Sequence, residues 1–141
     1  MRRVDYLLAR GYTALRSGWV VLGVIGLATI IRGAFYLPAV VRESDRLPTV
    51  ERFAPLSVWA AVWITVGVLA VVCAVRRRHL GLGVAVVTAL PAGWGTLYLG
   101  AWIAGWSQAG YITALTYLLV ACLTLAYYAR AAIDDEGEVA S

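Results

Sequence analysis

Four apolar stretches, each long enough to cross a bilayer as a helix, constrain the fold of this chain more than any other feature. The stretches cover residues 18–37, 55–75, 80–106 and 111–129 approximately, and short polar segments separate them. A helical crossing takes about 20 apolar residues. A mean hydropathy of +0.78 with only 14% charged residues excludes a soluble globule. We therefore expect an all-α integral membrane four-helix bundle that forms one domain, residues 1–133.

The first 17 residues predict an additional helix of a different kind. Val4, Leu7, Leu8, Tyr12 and Leu15 recur at helical spacing, while arginines and Asp5 occupy the other face. This pattern is typical of an amphipathic helix that lies at the membrane interface. A signal peptide is the alternative, but no small-residue cleavage site follows the first apolar run, so we expect the segment to be retained.

The distribution of arginine predicts the orientation in the membrane. The chain has 12 arginines and no lysine, and eight of them flank the same ends of the crossings. These are Arg2, Arg3, Arg10, Arg16, Arg76, Arg77, Arg78 and Arg130. Positive charge favours the cytoplasmic side, so both termini and the acidic tail, residues 134–141, are expected there, in a bacterial cytoplasmic membrane. We expect the end of this tail to be disordered. The same short clusters beside apolar runs argue against nucleic acid as a partner.

Residues for common chemistry are missing from the apolar stretches. Every carboxylate lies in a terminus or in the first loop, and the only histidine is His79, beside three arginines. No acid/base pair, metal site or haem site follows from this set, so we expect no enzyme activity and no cofactor. Cys73 and Cys122 lie within apolar stretches and are expected to be buried, unpaired hydrophobic residues.

Arg32 interrupts the first apolar stretch, thirteen residues after Trp19. An arginine at the bilayer centre costs about 3 kcal/mol on insertion scales. At 1.5 Å per residue, Arg32 lies about 20 Å beyond Trp19, from where its side chain can reach the interface. Two interpretations remain open, an interfacial anchor or a group that binds lipid phosphate, a partner's carboxylate or the lining of an aqueous cavity.

The third crossing carries two sets of residues spaced by four. One set is aromatic and comprises Trp94, Tyr98, Trp102 and Trp106, and the other is small and comprises Ala92, Thr96, Gly100 and Ala104. Two residues turn a helix by about 200°, so the sets are expected on nearly opposite faces. The small set predicts a helix-packing face, within the chain or in another copy. The aromatic set, with Arg32, is a candidate for binding lipid or a partner, and ordinary packing in the bundle is the alternative.

One stretch of the sequence resembles a known group of proteins. Residues 47–69, LPTVERFAPLSVWAAVWITVGVL, join a polar loop with a proline to a helix that begins Pro-Leu-x-x-Trp and continues with a second Trp and a Gly. This is similar to small four-transmembrane membrane proteins of actinobacterial phages, which are described as holin-like. The resemblance implies a phage context and identifies no functional residues. The long first loop and the lack of polar helix faces argue against a water-filled pore.

These observations favour a non-enzymatic multipass membrane protein that acts by assembly. The expected partners are membrane lipids and either further copies of the chain or other membrane proteins, and a holin-like protein is the most specific version. One alternative is an accessory subunit of a host membrane complex, for example a respiratory one. Another is a membrane protein that binds a lipid or a small molecule, for which the sequence reveals no cavity.

Overall fold

The described part of the chain is helical throughout its main elements. A computed structural model describes residues 18–37 and 51–139, with side chains described as far as residue 130. Its helices are α1 (Gly18–Ala34), α2 (Leu56–Arg76), α3 (Leu80–Ile103) and α4 (Gly110–Val139), and the described ranges contain no strand. The all-α prediction is confirmed. The predicted N-terminal interfacial helix lies outside the described residues.

Three helices are long and apolar enough to cross a membrane. They are α2, α3 and the part of α4 from Gly110 to Arg130. The helix α1 is apolar but has only 17 residues. The structure therefore supports a membrane-embedded protein. A crossing by α1 and the orientation in the membrane stay predictions.

Local hydrogen bonds shorten two of the predicted crossings. After α1 the chain tightens, because the Tyr36 N–H donates to the Gly33 carbonyl at 3.0 Å and Leu37 donates to Ala34 at 3.1 Å. Such i to i−3 bonds narrow a last turn, and Pro38 then follows. The first helix therefore ends three residues before the predicted residue 37.

The end of α3 is a glycine-terminated Schellman motif. Gly105 has a φ of +76°, in the left-handed region. Its N–H donates to the Trp102 carbonyl at 3.0 Å, and the Trp106 N–H donates to Ala101 at 2.8 Å, which is the bond pair of this motif. Trp106 consequently lies in the turn after α3 and not on the helix.

The last helix is longer than its predicted crossing. The sequence analysis predicts a crossing to residue 129 and then an acidic tail, but α4 continues to Val139. The acidic segment is thus helical as far as residue 139, and the expectation of a disordered end concerns residues 140–141, which lie outside the described range. Residues 131–139 form a helical extension beyond the apolar part of α4.

Close approach of two glycines joins α1 to α2. A Cβ placed on Gly67 would lie 2.6 Å from the Gly26 carbonyl oxygen and 2.8 Å from the Ile30 nitrogen. Gly33 is equally restricted, since its Cβ would lie 2.9 Å from the Ile64 nitrogen. Backbone contact at small residues is the usual way in which membrane helices pack. The small-residue interface observed within this chain is thus between α1 and α2.

The bundle has two distinct ends. At one end, the Arg77 guanidinium stacks over the Trp19 ring at 4.5 Å, and the Tyr128 hydroxyl donates to the Gly18 carbonyl at 2.6 Å. We call this the arginine end, because the turn from α2 to α3 lies here. At the other end lies Glu51, and we call it the Glu51 end. An apolar core that includes Leu22, Ala70, Cys73, Val84 and Val87 packs towards the arginine end, and an aromatic core packs at the Glu51 end.

The glycine contact between α1 and α2 predicts that one added methyl group, as in a Gly→Ala substitution, strongly lowers the stability of the bundle. Gly67→Ala should lower the free energy of unfolding by about 1–3 kcal/mol, because backbone atoms must move to admit the Cβ. Gly81→Ala is the matched control, since its Cβ meets no atom within 4 Å, and it should be neutral or slightly stabilising. Thermal unfolding of both variants in detergent measures the difference. Equal melting temperatures would contradict the contact.

Candidate functional site

A single carboxylate is buried at the Glu51 end of the bundle. Glu51 lies just before α2, and its exposed fraction is 3%. It is the only acidic residue among residues 18–37 and 51–130. A buried carboxylate is costly unless it is hydrogen-bonded or paired with a cation. The surroundings of Glu51 therefore decide what this end of the molecule can do.

Three side chains from two helical regions donate to one oxygen of Glu51. The Tyr98 hydroxyl donates to Oε1 at 2.7 Å and the Tyr36 hydroxyl donates at 2.9 Å. The indole Nε1 of Trp94 also donates to Oε1, at 3.3 Å. The main chain of the same residue is held as well, because Trp59 Nε1 donates to the Glu51 carbonyl at 2.9 Å. Glu51 thus joins the end of α1, the start of α2 and the middle of α3.

Arg32 supplies the positive charge beside this carboxylate. One guanidinium nitrogen lies 3.8 Å from Glu51 Oε1 and donates to the Tyr36 hydroxyl at 2.7 Å. The Arg32 Nε donates to the Tyr117 hydroxyl on α4 at 3.1 Å. The partner of Arg32 is therefore a carboxylate of its own chain, which neither sequence interpretation named. The Arg32 side chain is 39% exposed, so a role in anchoring stays a prediction.

Aromatic rings surround the charged pair. The rings of Trp59 and Trp94 meet edge to face with centroids 4.6 Å apart, and Trp63 meets Trp94 at 5.4 Å. The Arg32 guanidinium lies 4.7 Å from the Tyr36 ring centroid and 5.8 Å from that of Trp63. A cation over such rings is attracted by their electron-rich faces. Only the Glu51 side of the pair is shielded from solvent, since the Glu51 side chain is 4% exposed and that of Arg32 is 39% exposed. Shielding from water strengthens the hydrogen bonds to the carboxylate.

The arrangement around Glu51 is one that holds an anion. Hydroxyl, indole and guanidinium groups all donate, and a carboxylate can accept several such hydrogen bonds. The described residues contain no group of three His, Cys, Asp or Glu side chains that could hold a metal ion.

The predicted aromatic set on α3 is divided by the structure. Trp94 and Tyr98 are buried and contact Glu51, whereas Trp102 is 45% exposed and Trp106 is 71% exposed. The reason is geometrical, because a spacing of four residues rotates about 40° per step around an α-helix. From Trp94 to Trp102 the set turns by about 80°, and Trp106 lies beyond the end of α3, so the four residues do not form one straight face. Trp102 contacts the Tyr111 ring instead, at 5.7 Å.

The small set on α3 lies away from the helices described. Thr96, Gly100 and Ala104 are exposed and Ala92 is half-buried, and a Cβ on Gly100 would meet no atom within 4 Å. Within the described part of the chain, the prediction of a packed helix face here is wrong. The buried face of α3 passes through Trp94, whose indole reaches Glu51, and through Gly95, which approaches Leu118 on α4. A neighbour from a second copy stays a prediction.

The two cysteines also differ. Cys73 is buried, as predicted, whereas Cys122 is exposed on α4, and neither forms a disulfide. An exposed residue on a membrane helix faces lipid or a partner, so the apolar context of Cys122 did not imply burial in the protein. Cys122 therefore has to be replaced in any experiment that relies on introduced cysteines.

Sequence reasoning missed the centre of the site. In the sequence, Glu51 is only one of the carboxylates of the first loop, and no pattern groups it with Tyr36, Trp59, Trp63 and Tyr117. A signal was present, since Arg32 and Tyr36 are four residues apart and share one helix face. An arginine within an apolar stretch needs a partner. Glu51 is the last acidic residue before the second crossing, which made it the natural candidate.

Comparison with known proteins does not add to this description. No protein family, curated protein or solved structure matches the chain. The resemblance to holin-like phage proteins therefore stays a prediction. The function has to be inferred from the contacts and surfaces of this molecule.

The hydrogen bonds to Glu51 predict a specific loss of stability. Tyr98→Phe removes the 2.7 Å bond to the carboxylate and should lower the free energy of unfolding by about 1.5–3 kcal/mol, as expected for a bond to a charged group. Tyr111→Phe is the matched control, because Tyr111 is 42% exposed and the change should cost less than about 0.5 kcal/mol. Thermal unfolding in detergent compares them. If both variants melt together, the hydroxyl of Tyr98 does not stabilise the buried carboxylate.

Proposed function

We propose that this chain is a non-enzymatic multipass membrane protein that acts by assembling with further copies of itself. The observation that carries the proposal is an apolar groove on α3 that no described helix of the same chain fills. Its volume is about 920 Å³. Its lining includes Phe53, Gly93, Thr96, Gly100, Ala104 and Trp106.

The groove has the composition of a helix-docking surface. Its floor holds Thr96, Gly100 and Ala104, three of the small residues spaced by four. The Thr96 hydroxyl donates to the Ala92 carbonyl of its own helix at 2.8 Å, so its donor hydrogen is already used within the helix. An ion path needs polar groups along its walls, and this groove does not offer them. Van der Waals contact with an apolar helix is the interaction that such a surface supports.

The same chain carries a matching ridge. Large apolar side chains on α4 are exposed over three turns, at Ile112, Leu115, Leu119 and Leu123. Ridges and grooves with a spacing of four residues interdigitate when two helices pack. Gly100 lies three residues from the end of α3, and Leu115 lies five residues after the start of α4. Groove and ridge therefore lie at a similar depth, and we infer that α4 of a second copy occupies the groove.

A contact between two different surfaces does not stop at a dimer. If the groove of one copy receives the ridge of the next, each copy leaves one groove and one ridge free. Such heterologous contacts close into rings or extend into open arrays. Large arrays in the membrane are consistent with the holin-like version of the proposal. The resemblance of residues 47–69 to holin-like phage membrane proteins supports the same version.

The positions of the arginines support a cytoplasmic arginine end. Arg77 and the Tyr128 region of α4 lie at the same end as the start of α1. Cytoplasmic loops of membrane proteins are enriched in arginine and lysine. We therefore place this end, and with it both termini, at the cytoplasmic face of a bacterial cytoplasmic membrane, with Glu51 at the opposite face.

The groove and the ridge predict a directional cross-link. In a chain with Cys73→Ala and Cys122→Ala, a copy with Gly100→Cys should form a disulfide with a second copy that carries Leu115→Cys, because the two positions meet across the interface. Oxidation of the mixture in native membranes, followed by electrophoresis, should give a dimer. One chain that carries both cysteines should give a ladder of oligomers.

The control for this cross-link is Ile31→Cys on α1. Ile31 is 51% exposed but belongs neither to the groove nor to the ridge. A mixture of the Gly100→Cys and Ile31→Cys copies should remain monomeric. Equal cross-linking in both mixtures would show random collision, and dimers of Gly100→Cys alone would show a symmetric contact. Either result would contradict the directional assembly.

Expression in bacteria tests the holin-like version. The wild-type chain should abruptly collapse the membrane potential after a delay, whereas Gly100→Leu should delay or abolish the collapse because leucine fills the groove. Gly81→Leu is the matched control, since that position is exposed and meets no atom within 4 Å. A potential-sensitive dye follows the time course. Harmless expression with copurification of host membrane subunits would instead favour an accessory subunit.

A further inference from the structure

The side chains around Glu51 present donors towards a single acceptor. Tyr36, Tyr98 and Trp94 donate to Oε1, and the Arg32 guanidinium lies 3.8 Å away. Arg32 and Tyr36 lie within and just beyond the last turn of α1, and Trp94 and Tyr98 lie within α3. The carboxylate comes from the connecting segment in front of α2. The donors therefore form a pocket, and the acceptor is inserted into it from a different part of the chain.

One further donor at this site has no acceptor. Trp63 is 4% exposed, and its Nε1 has no hydrogen-bond partner among the described residues. Its ring lies 5.4 Å from that of Trp94 and 6.0 Å from that of Tyr117. A buried N–H without an acceptor is costly and therefore rare in folded proteins. The cluster thus holds more donor capacity than Glu51 uses.

We propose that this cluster is a carboxylate-binding pocket whose resident ligand is the tethered side chain of Glu51, and that a free carboxylate binds in its place when the Glu51 carboxylate is removed. The inference does not require the proposed assembly, because it rests on the donors to Glu51, although one of them, Trp94, also lines the groove on α3. The chemical class of the ligand is a small monocarboxylate, of which acetate matches the atoms beyond Cβ of Glu51. A carboxylate of another protein has the same chemistry.

The charge and the donors of the pocket match this class. The structure places the Arg32 guanidinium 3.8 Å from Glu51 Oε1, and its single positive charge matches the single negative charge of a monocarboxylate. The rings of Trp59 and Trp94 pack edge to face with centroids 4.6 Å apart, and both indoles donate to Glu51, one to its carbonyl and one to its carboxylate. The donors meet one oxygen at 2.7–3.3 Å, as a carboxylate requires.

The test is rescue of a Glu51→Ala variant by acetate. The substitution empties the pocket, so the variant should melt below the wild type in detergent, and acetate should raise its melting temperature. With acetate at about ten times its Kd, the expected rise is about 3–6 °C. Chloride and sulfate at the same ionic strength should not reproduce it. The wild type should not respond, because its tethered carboxylate has a high effective concentration.

Two further variants assign the response to this pocket. Glu51→Gln keeps the side-chain shape and fills the space, so acetate should not change its melting temperature. Addition of Arg32→Leu to Glu51→Ala should remove the acetate response, because the cation is lost. A rise of equal size in the wild type, in Glu51→Gln or with chloride would overturn the proposal.

If Glu51→Ala does not fold without a ligand, the yield of folded protein on purification replaces the melting temperature as the measurement. The variant is then prepared in parallel with acetate and with chloride, and the recovered fraction is measured by size-exclusion chromatography. The proposal expects a monodisperse peak only with acetate, at least several-fold above the chloride preparation. Equal recovery in both, or aggregation in both, would overturn it.

Discussion

Burial of one carboxylate at the Glu51 end governs how the helices meet. Removal of Glu51 from water is unfavourable, and the cost is offset only when Tyr36, Tyr98 and Trp94 reach the same oxygen. These residues belong to segments far apart in the sequence, so their contacts require one relative placement of α1, α2 and α3. A purely apolar core would tolerate several placements. The ion pair with Arg32 adds a strong penalty for any arrangement that leaves either charge alone.

The two ends of the bundle are stabilised by different physics. Towards the arginine end, Leu22 and Ala70 are fully buried, and glycines bring α1 and α2 into backbone contact. The interactions there are van der Waals contacts between closely fitting surfaces. At the Glu51 end, hydrogen bonds and aromatic contacts replace them. The molecule therefore combines a tightly packed apolar half with a half in which polar groups determine the geometry.

The sequence was sufficient for the fold class but not for the site. Hydropathy locates helices because every crossing must satisfy its backbone internally. Helix ends depended on local details, such as the positive φ of Gly105. The roles of Trp94 and Trp102 could not be separated by spacing alone, since the first has an acceptor for its N–H and the second lies outside the core. Glu51 was missed because charge in a connecting loop is ordinarily solvated.

The position of Arg32 has a consequence for the lipid. The helix α1 has 17 residues and carries Arg32 in its last turn, and it spans about 26 Å. The 24 residues of α3 span about 36 Å, and the hydrocarbon core is about 30 Å thick. The bundle thus has a short side at α1 and a long side at α3. Matching lipid to a shorter apolar surface has a cost in hydrophobic mismatch, so the apolar surface that this bundle offers to lipid is asymmetric.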